Sequence, residues 1–264
     1  MRAAAGDSGV LPAIEVGRWG QRSAVSAELS HSLSSRYRQY MSINMLSTLF
    51  NPTVIAEWVA FLVALRFLPP RVGVWRLFVL LLLATILVET GGWYSTYISK
   101  KSTNQWIFNI LMLVSTAFWI WIFRYAEPMH KAGRLLKVLL MAFICFGLVN
   151  LLFFQGFWVY NSYTDIVADL LVAGVCCYFF YASLQEELFR DFLRYEYFWL
   201  ANGLLFSSLG SMVLYIFIDY LYAFKRHTQI NVYGYINYGL NIILYGSFVI
   251  AFLCRNRNTR SSPG

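Results

Sequence analysis

The segment Trp75–Ile98, with the sequence WRLFVLLLLATILVETGGWYSTYI, decides the fold class of this chain. Its apolar run has the length, roughly 20 residues, that an α-helix needs to cross a bilayer core of about 30 Å. Comparable windows lie at Thr53–Leu68, which could begin as early as Leu46, and at Gln105–Tyr125, Leu135–Phe154, Tyr163–Leu184, Tyr197–Tyr220 and Val232–Cys254. Because backbone groups in lipid must be paired, and these runs are continuous rather than alternating, they predict an all-α, polytopic transmembrane bundle of about seven helices.

The composition excludes the other broad classes of protein. Hydrophobic residues make up 59% of the chain and charged residues 13%, against roughly 45–50% and about 25% in ordinary globular domains. A soluble fold with this composition would expose large apolar patches and aggregate. Disordered, collagen-like and disulfide-scaffold classes do not fit either, and no soluble basic segment suits a nucleic-acid partner, so the bilayer is the expected surrounding.

The charged residues outside the predicted spans indicate the orientation. Lys and Arg are about twice as frequent in the loops on the side of the C-terminus, which predicts a cytoplasmic C-terminus and an N-terminus outside. The predicted organisation is an extracytoplasmic, disordered tail over residues 1–45, a transmembrane domain over 46–255 and a short cytoplasmic tail over 256–264. In an alternative interpretation, the natural start is Met41 or Met45 and the residues before it are a mis-called extension.

Acidic residues inside the predicted spans are the most informative for function. A charged side chain at the centre of a bilayer costs roughly 2.5–3.5 kcal/mol on insertion scales, so it usually marks function or a buried pair. Glu89 lies well inside its window, where it is either hydrogen-bonded across helices or part of a site for an ion, a proton or a ligand. Glu57 stands early in its window, so we expect it to reach the membrane interface.

Further polar side chains complete the candidate site. Asp165 and Asp169 are four residues apart and therefore share a helix face, where they can bind a cation if they line a cavity. Asn109, Asn150 and Asn241 can form hydrogen bonds between helices. Gly203, Ser207 and Ser211 form a small-residue stripe typical of close helix packing. The candidate intramembrane polar site thus comprises Glu89, Asn109, Asn150, Asp165, Asp169 and Asn241.

The sequence carries no recognisable catalytic, cofactor or metal motif. The histidines, His31, His130 and His227, fall in tails or loops, which leaves no buried nucleophile–histidine pair and no helical metalloprotease motif. Val232–Cys254 contains no Lys, which excludes a retinal Schiff base. We therefore predict no catalytic residue, cofactor or metal, and no enzymatic activity.

Several short motifs resemble those of a group of uncharacterised membrane proteins with seven or eight helices, common in Bacteroidetes. The motifs are Glu89–Tyr94 (ETGGWY), Asn104–Ile110 (NQWIFNI), Phe198–Gly203 (FWLANG) and Asn241–Tyr245 (NIILY). The resemblance covers most of Glu89–Arg255, with Phe108 where that group usually has Tyr. It implies a bacterial inner-membrane protein in which Glu89 and Asn109 belong to a recurring pattern, and it implies no activity.

Three functional hypotheses follow from the sequence. The first is a sensor-like or accessory module that acts through a separate membrane or cytoplasmic signalling protein, because the loops are short and no catalytic set is visible. The second is a small transporter or ion-coupled carrier that uses Glu89 together with Asp165 or Asp169. The third is a lipid-modifying enzyme that uses the same acids.

Overall fold

A computed structural model of the 264-residue chain describes residues 52–68, 73–97, 105–185 and 192–261. The tail predicted for residues 1–45, the alternative starts Met41 and Met45, and Asn104 lie outside the described residues. The described part forms eight α-helices and no strand. They are α1 Pro52–Phe67, α2 Gly73–Tyr97, α3 Gln105–Ile122, α4 Gly133–Val149, α5 Ser162–Gln185, α6 Glu196–Ile216, α7 Ile218–Thr228 and α8 Val232–Ser261. The all-α prediction is confirmed.

The lengths and composition of the helices are those of a multi-pass integral membrane protein. Among the described residues, six helical segments are long and apolar enough to cross a membrane, namely α2, α3, α4 with its flanking turns, α5, α6 and α8. The 16-residue α1 begins at the first described residue and brings the bundle to about the seven predicted helices. Large apolar side chains such as Leu62, Leu80 and Phe153 are more than half exposed, as expected where lipid tails surround the bundle.

Two predicted boundaries near the C-terminus differ from the structure. The window Tyr197–Tyr220 was predicted as one span, but α6 ends at Ile216 and a separate helix, α7, begins at Ile218. At about 1.5 Å per residue α6 already covers roughly 30 Å, so it is long enough to cross a bilayer without the residues after Phe217. Helix α8 continues to Ser261, so residues 256–261 of the predicted short tail are helical.

Helix α8 lies at the centre of the packing. It makes its most extensive contacts with α6 and also packs against α1, while α6 packs against α5. Gly203 of α6 permits the close approach of α8, because a Cβ atom at Gly203 would lie 2.6 Å from Ser247 Cβ. The predicted role of this glycine in close helix packing is confirmed.

A cluster of rings, here called the aromatic core, fills the middle of the bundle. Phe78 of α2 is fully buried and lies 5.1 Å from Trp119, 5.0 Å from Phe248 and 4.9 Å from Phe252, measured between ring centroids. Trp75 stacks on Phe78 at 6.0 Å. These rings join α2, α3 and α8, and they separate two cavities, since Trp119 lines one of them and Trp75 lines the other.

Candidate functional site

The first cavity, here called the acidic cavity, has a volume of about 330 Å³ and lies between α2, α3, α5, α6 and α8. Three carboxyl groups line it, those of Glu89 from α2 and of Asp165 and Asp169 from α5. Hydroxyl and amide groups add further polar atoms, and apolar side chains form the rest of the wall. The polar set consists of Ser115, Thr116, Tyr160, Ser207, Ser208 and Asn241, and the wall includes Phe108, Leu111, Trp119, Val172, Leu204 and Leu244.

Glu89 stands beside a second glutamate that the sequence interpretation had placed at the membrane interface. Glu57 of α1 is only 1% exposed and contacts Glu89. Its Oε1 accepts a hydrogen bond from Tyr245 Oη of α8 at 3.0 Å, while its Oε2 is buried and has no hydrogen-bond partner among the described residues. The interfacial prediction for Glu57 is wrong, because α1 turns this side chain towards α8 and α2 rather than along the bundle surface.

Asp165 and Asp169 face the acidic cavity together, as their four-residue spacing predicted. Asp165 Oδ2 accepts a 2.6 Å hydrogen bond from Tyr160 Oη, and Tyr160 Oη in turn lies 2.9 Å from Tyr215 Oη of α6. Asp169 contacts the side chain of Ser208, also on α6. The two aspartates are therefore oriented by different neighbours within one wall of the cavity.

Asn109 lies outside the cavity lining and holds the loop that precedes α5. This residue is fully buried. Its Nδ2 donates a hydrogen bond to the Val159 carbonyl oxygen at 2.8 Å, and its Oδ1 accepts one from the Asn161 amide at 3.0 Å. Both contacts involve the immediate neighbours of Tyr160, so Asn109 positions the backbone on either side of the tyrosine that contacts Asp165.

Asn150 also lies outside the lining and supports the same loop. It opens a short π-helix, Asn150–Phe154, that follows α4. Its Nδ2 lies 2.8 Å from Gln155 Oε1 and 2.8 Å from Thr164 Oγ1, which ties α4 to the start of α5. Asn150 is the first residue after α4, so its side-chain amide stands where the helix passes into the segment that leads to α5.

Asn241 lines the acidic cavity from α8. Its Nδ2 donates to the Asn237 carbonyl oxygen one turn earlier at 2.9 Å, so its side-chain oxygen is left to accept a hydrogen bond from elsewhere. Of the six residues predicted as a polar site, four therefore meet in one cavity and two hold its loop. Among the described residues, no group of three His, Cys, Asp or Glu side chains is placed to hold a metal ion.

The chain matches no protein-family model, no curated protein and no solved structure. The resemblance to the Bacteroidetes group stays a prediction.

Three further residues of the site were not predicted from the sequence. Tyr160, which the sequence did not single out, contacts Asp165. Glu57 and Tyr245 form a pair across 188 positions of sequence. The sequence did carry signals for this pair, since Glu57 is a carboxyl group within an apolar window and Tyr245 is a tyrosine among apolar neighbours. Only the packing of α1 on α8 shows that the two groups meet.

Proposed function

We propose that this membrane protein is a carrier that exchanges a small organic cation for protons, and that the cation binds in the acidic cavity. The observation that carries the proposal is the convergence of Glu89, Asp165 and Asp169 on one cavity inside a transmembrane bundle. Intramembrane acids that face a cavity commonly belong to the pathway of an ion or a proton.

The charge of the lining supports a cationic ligand. Among the described residues, those around the acidic cavity include three acids and no Lys, Arg or His. A positive ligand is attracted more strongly to carboxylates in such surroundings than in water, because the local dielectric constant is low. Phe108 and Trp119 present aromatic rings in the same wall, and such rings favour ammonium groups. The volume of about 330 Å³ lies at the lower end of the range for small-molecule sites, roughly 300–1,000 Å³.

The cost of an empty acidic cavity supports exchange against protons. Several charged carboxylates without a cation are unfavourable in a cavity of low dielectric constant. When the cation leaves, protons that bind to these carboxylates remove the unfavourable charge. Glu57 adds a carboxyl group beside Glu89 that can share a proton with it, and the Oε2 atom of Glu57 has no hydrogen-bond partner among the described residues. Exchange of one positive charge for another keeps the occupied and empty cavity at similar charge.

The test uses the purified protein in liposomes that contain the pH-sensitive dye pyranine. Putrescine, choline and Na⁺ are added outside in separate experiments. We expect at least one organic cation to release protons from the lumen and the radiolabelled cation to accumulate inside. Glu89→Gln and Asp169→Asn should reduce the initial rate by about tenfold or more, since each removes a charge-assisted contact.

The control variant is Tyr220→Phe, because Tyr220 is 68% exposed and is not among the described residues that line the acidic cavity. It should transport at the wild-type rate. Proton release that persists unchanged in both Glu89→Gln and Asp169→Asn, or the absence of flux for every cation in a protein that retains its thermal stability, would overturn the carrier proposal.

The sensor-like hypothesis has one specific observation in its favour. Helix α8 lines the acidic cavity through Asn241 and Leu244 and, further along, carries Arg255, whose Nη1 is paired with Glu196 Oε1 at 2.7 Å. Ligand binding at one part of this rigid helix can therefore shift the other. Specific crosslinking of a separate signalling protein that changes with putrescine or choline, without flux in liposomes, would favour this function. The third hypothesis, a lipid-modifying enzyme, gains no specific support from the residues around the acidic cavity.

Orientation and membrane type belong to the same proposal. We place the protein in a bacterial inner membrane with its C-terminus in the cytoplasm, on the distribution of basic residues. A C-terminal green fluorescent protein fusion should fluoresce and a C-terminal alkaline phosphatase fusion should be inactive. The opposite result would reverse the orientation.

A further inference from the structure

A second cavity, here called the interfacial cavity, lies on the other side of the aromatic core and has a volume of about 340 Å³. The residues that matter in its lining are Trp75, Tyr125, Glu127, Tyr195, Tyr197 and Arg255. Trp75 stands near the start of α2, Tyr125 just after α3, and Tyr195 directly before α6. The cavity is therefore at the ends of the spans, where aromatic side chains commonly meet lipid headgroups.

Arg255 is fixed in the interfacial cavity but incompletely hydrogen-bonded. Its Nη1 donates to Glu196 Oε1 at 2.7 Å, and its guanidinium carbon lies 5.6 Å from the ring centroid of Trp75. The other oxygen of Glu196 accepts a hydrogen bond from Asn258 Nδ2 at 2.9 Å. Nε of Arg255 is buried and has no hydrogen-bond partner in the described part of the chain. A guanidinium with an unpaired N–H group is a good donor to a phosphate oxygen.

Tyr195 supplies a second donor. Its Oη accepts a hydrogen bond from the Glu127 amide at 3.1 Å, so the hydroxyl proton remains available, and it has no acceptor among the described residues. Burial raises the pKa of the Tyr195 hydroxyl above its ordinary value, which keeps this group a donor throughout the physiological range. The hydroxyl and the guanidinium together can hold two oxygens of one phosphate.

On another side of the interfacial cavity, Glu127 favours a positively charged group. Its carboxylate has no ion pair within the described ranges, and the rings of Tyr125, Tyr195 and Tyr197 line the same cavity. An ammonium group is attracted both by a carboxylate and by the faces of aromatic rings. With two carboxylates and one guanidinium among the described residues of the lining, a simple anion is disfavoured, whereas a ligand that carries both charges satisfies each partner.

We propose that the interfacial cavity binds a phosphoryl zwitterion of the phosphoethanolamine type. Arg255 and Tyr195 contact its phosphate, and Glu127 contacts its ammonium group among the aromatic rings. This chemistry occurs in the headgroup of phosphatidylethanolamine and in free phosphoethanolamine. The site is independent of the acidic cavity and does not require the carrier function.

The test is native mass spectrometry of the protein after exposure to an equimolar mixture of phosphatidylethanolamine and phosphatidylglycerol with identical acyl chains. We expect the wild type to retain phosphatidylethanolamine in preference. Glu127→Gln, which keeps the shape and removes the charge, should lower that preference by about tenfold. Tyr195→Phe, which keeps the ring, should lower it less, because Arg255 still contacts the phosphate. Tyr235→Phe, at a 69% exposed position outside the cavity, is the matched control and should behave as the wild type.

A second measurement distinguishes the two sources of the ligand. Free phosphoethanolamine is added at millimolar concentration while the thermal unfolding of the protein is followed. Preferential retention of phosphatidylethanolamine without a rise in melting temperature assigns the site to the lipid. A rise in melting temperature without lipid preference assigns the site to free phosphoethanolamine. Either result supports the proposal provided that Glu127→Gln abolishes the effect. Equal retention of both lipids together with no effect of phosphoethanolamine would overturn it, as would an effect that survives in Glu127→Gln at wild-type melting temperature.

Discussion

Tyr160 Oη donates a 2.6 Å hydrogen bond to Asp165 Oδ2, from a loop to the first turn of α5. The bond links the wall of the acidic cavity to the segment between α4 and α5. Asn109 holds that segment on both sides of Tyr160. The orientation of Asp165 therefore depends in part on Asn109, which is not among the residues that line the acidic cavity.

Removal of the Tyr160 hydroxyl should weaken ligand binding while leaving the fold intact. In Tyr160→Phe the ring remains, but Asp165 loses a donor worth about 0.5–1.5 kcal/mol in a typical hydrogen bond. We expect the KM for the transported cation to rise by roughly two- to tenfold, as measured by uptake into liposomes. Tyr163→Phe, at a position that is 64% exposed nearby, is the control. An unchanged KM in Tyr160→Phe would show that Asp165 does not need this partner.

Loss of the Asn109 amide should destabilise the loop before α5. Asn109→Leu leaves the Val159 carbonyl and the Asn161 amide without their partner, and an unsatisfied buried group costs about 1–3 kcal/mol. We expect a lower free energy of unfolding and faster hydrogen exchange of residues 155–161. Asn202→Leu is the control, because Asn202 bonds only to the Phe198 carbonyl of its own helix. Equal hydrogen exchange in both variants would contradict the positioning role.

Enlargement of Gly203 should force α6 and α8 apart. The new methyl group of Gly203→Ala would lie 2.6 Å from Ser247 Cβ, and such overpacking typically costs about 1–3 kcal/mol. The melting temperature in detergent should fall, and a Gly203→Ala/Ser247→Gly double variant should recover part of the loss. Gly246→Ala is the control, since nothing lies within 4 Å of a Cβ atom there. A fall of the same size in Gly246→Ala would attribute the effect to α8 rather than to the contact.

The pair formed by Glu57 and Tyr245 should show energetic coupling between α1 and α8. Tyr245→Phe leaves the buried Glu57 without its 3.0 Å hydrogen bond and should lower the free energy of unfolding by about 1–3 kcal/mol. In the Glu57→Leu background, Tyr245→Phe should lower the free energy of unfolding by a different amount. The difference between the two effects is the coupling energy, expected at about 0.5–3 kcal/mol. The measurement is a double-mutant cycle of unfolding in mixed micelles. Additive effects of the two changes would mean that the bond contributes nothing to the packing of α1.

The sequence predicted those parts of the fold that depend on one helix at a time. The apolar windows located α2, α3 and α5 to within a few residues, since length and hydrophobicity set the limits of a span. The break at Phe217 was missed because apolar residues continue past it to Ile218. Likewise, the shared face of Asp165 and Asp169 follows from helical periodicity. The contact between Glu57 and Tyr245 does not, because it joins helices 188 positions apart.

The aromatic core has a consequence for the energised membrane in which such a protein would work. Phe78 and its neighbouring rings stand between the acidic and interfacial cavities, and Phe78 has no solvent exposure. Because Trp119 lines the acidic cavity and Trp75 lines the interfacial cavity, a water-filled path between the two through this cluster would have to displace packed rings. Under the proposed carrier function, the aromatic core would therefore act as a barrier to ions between the two cavities.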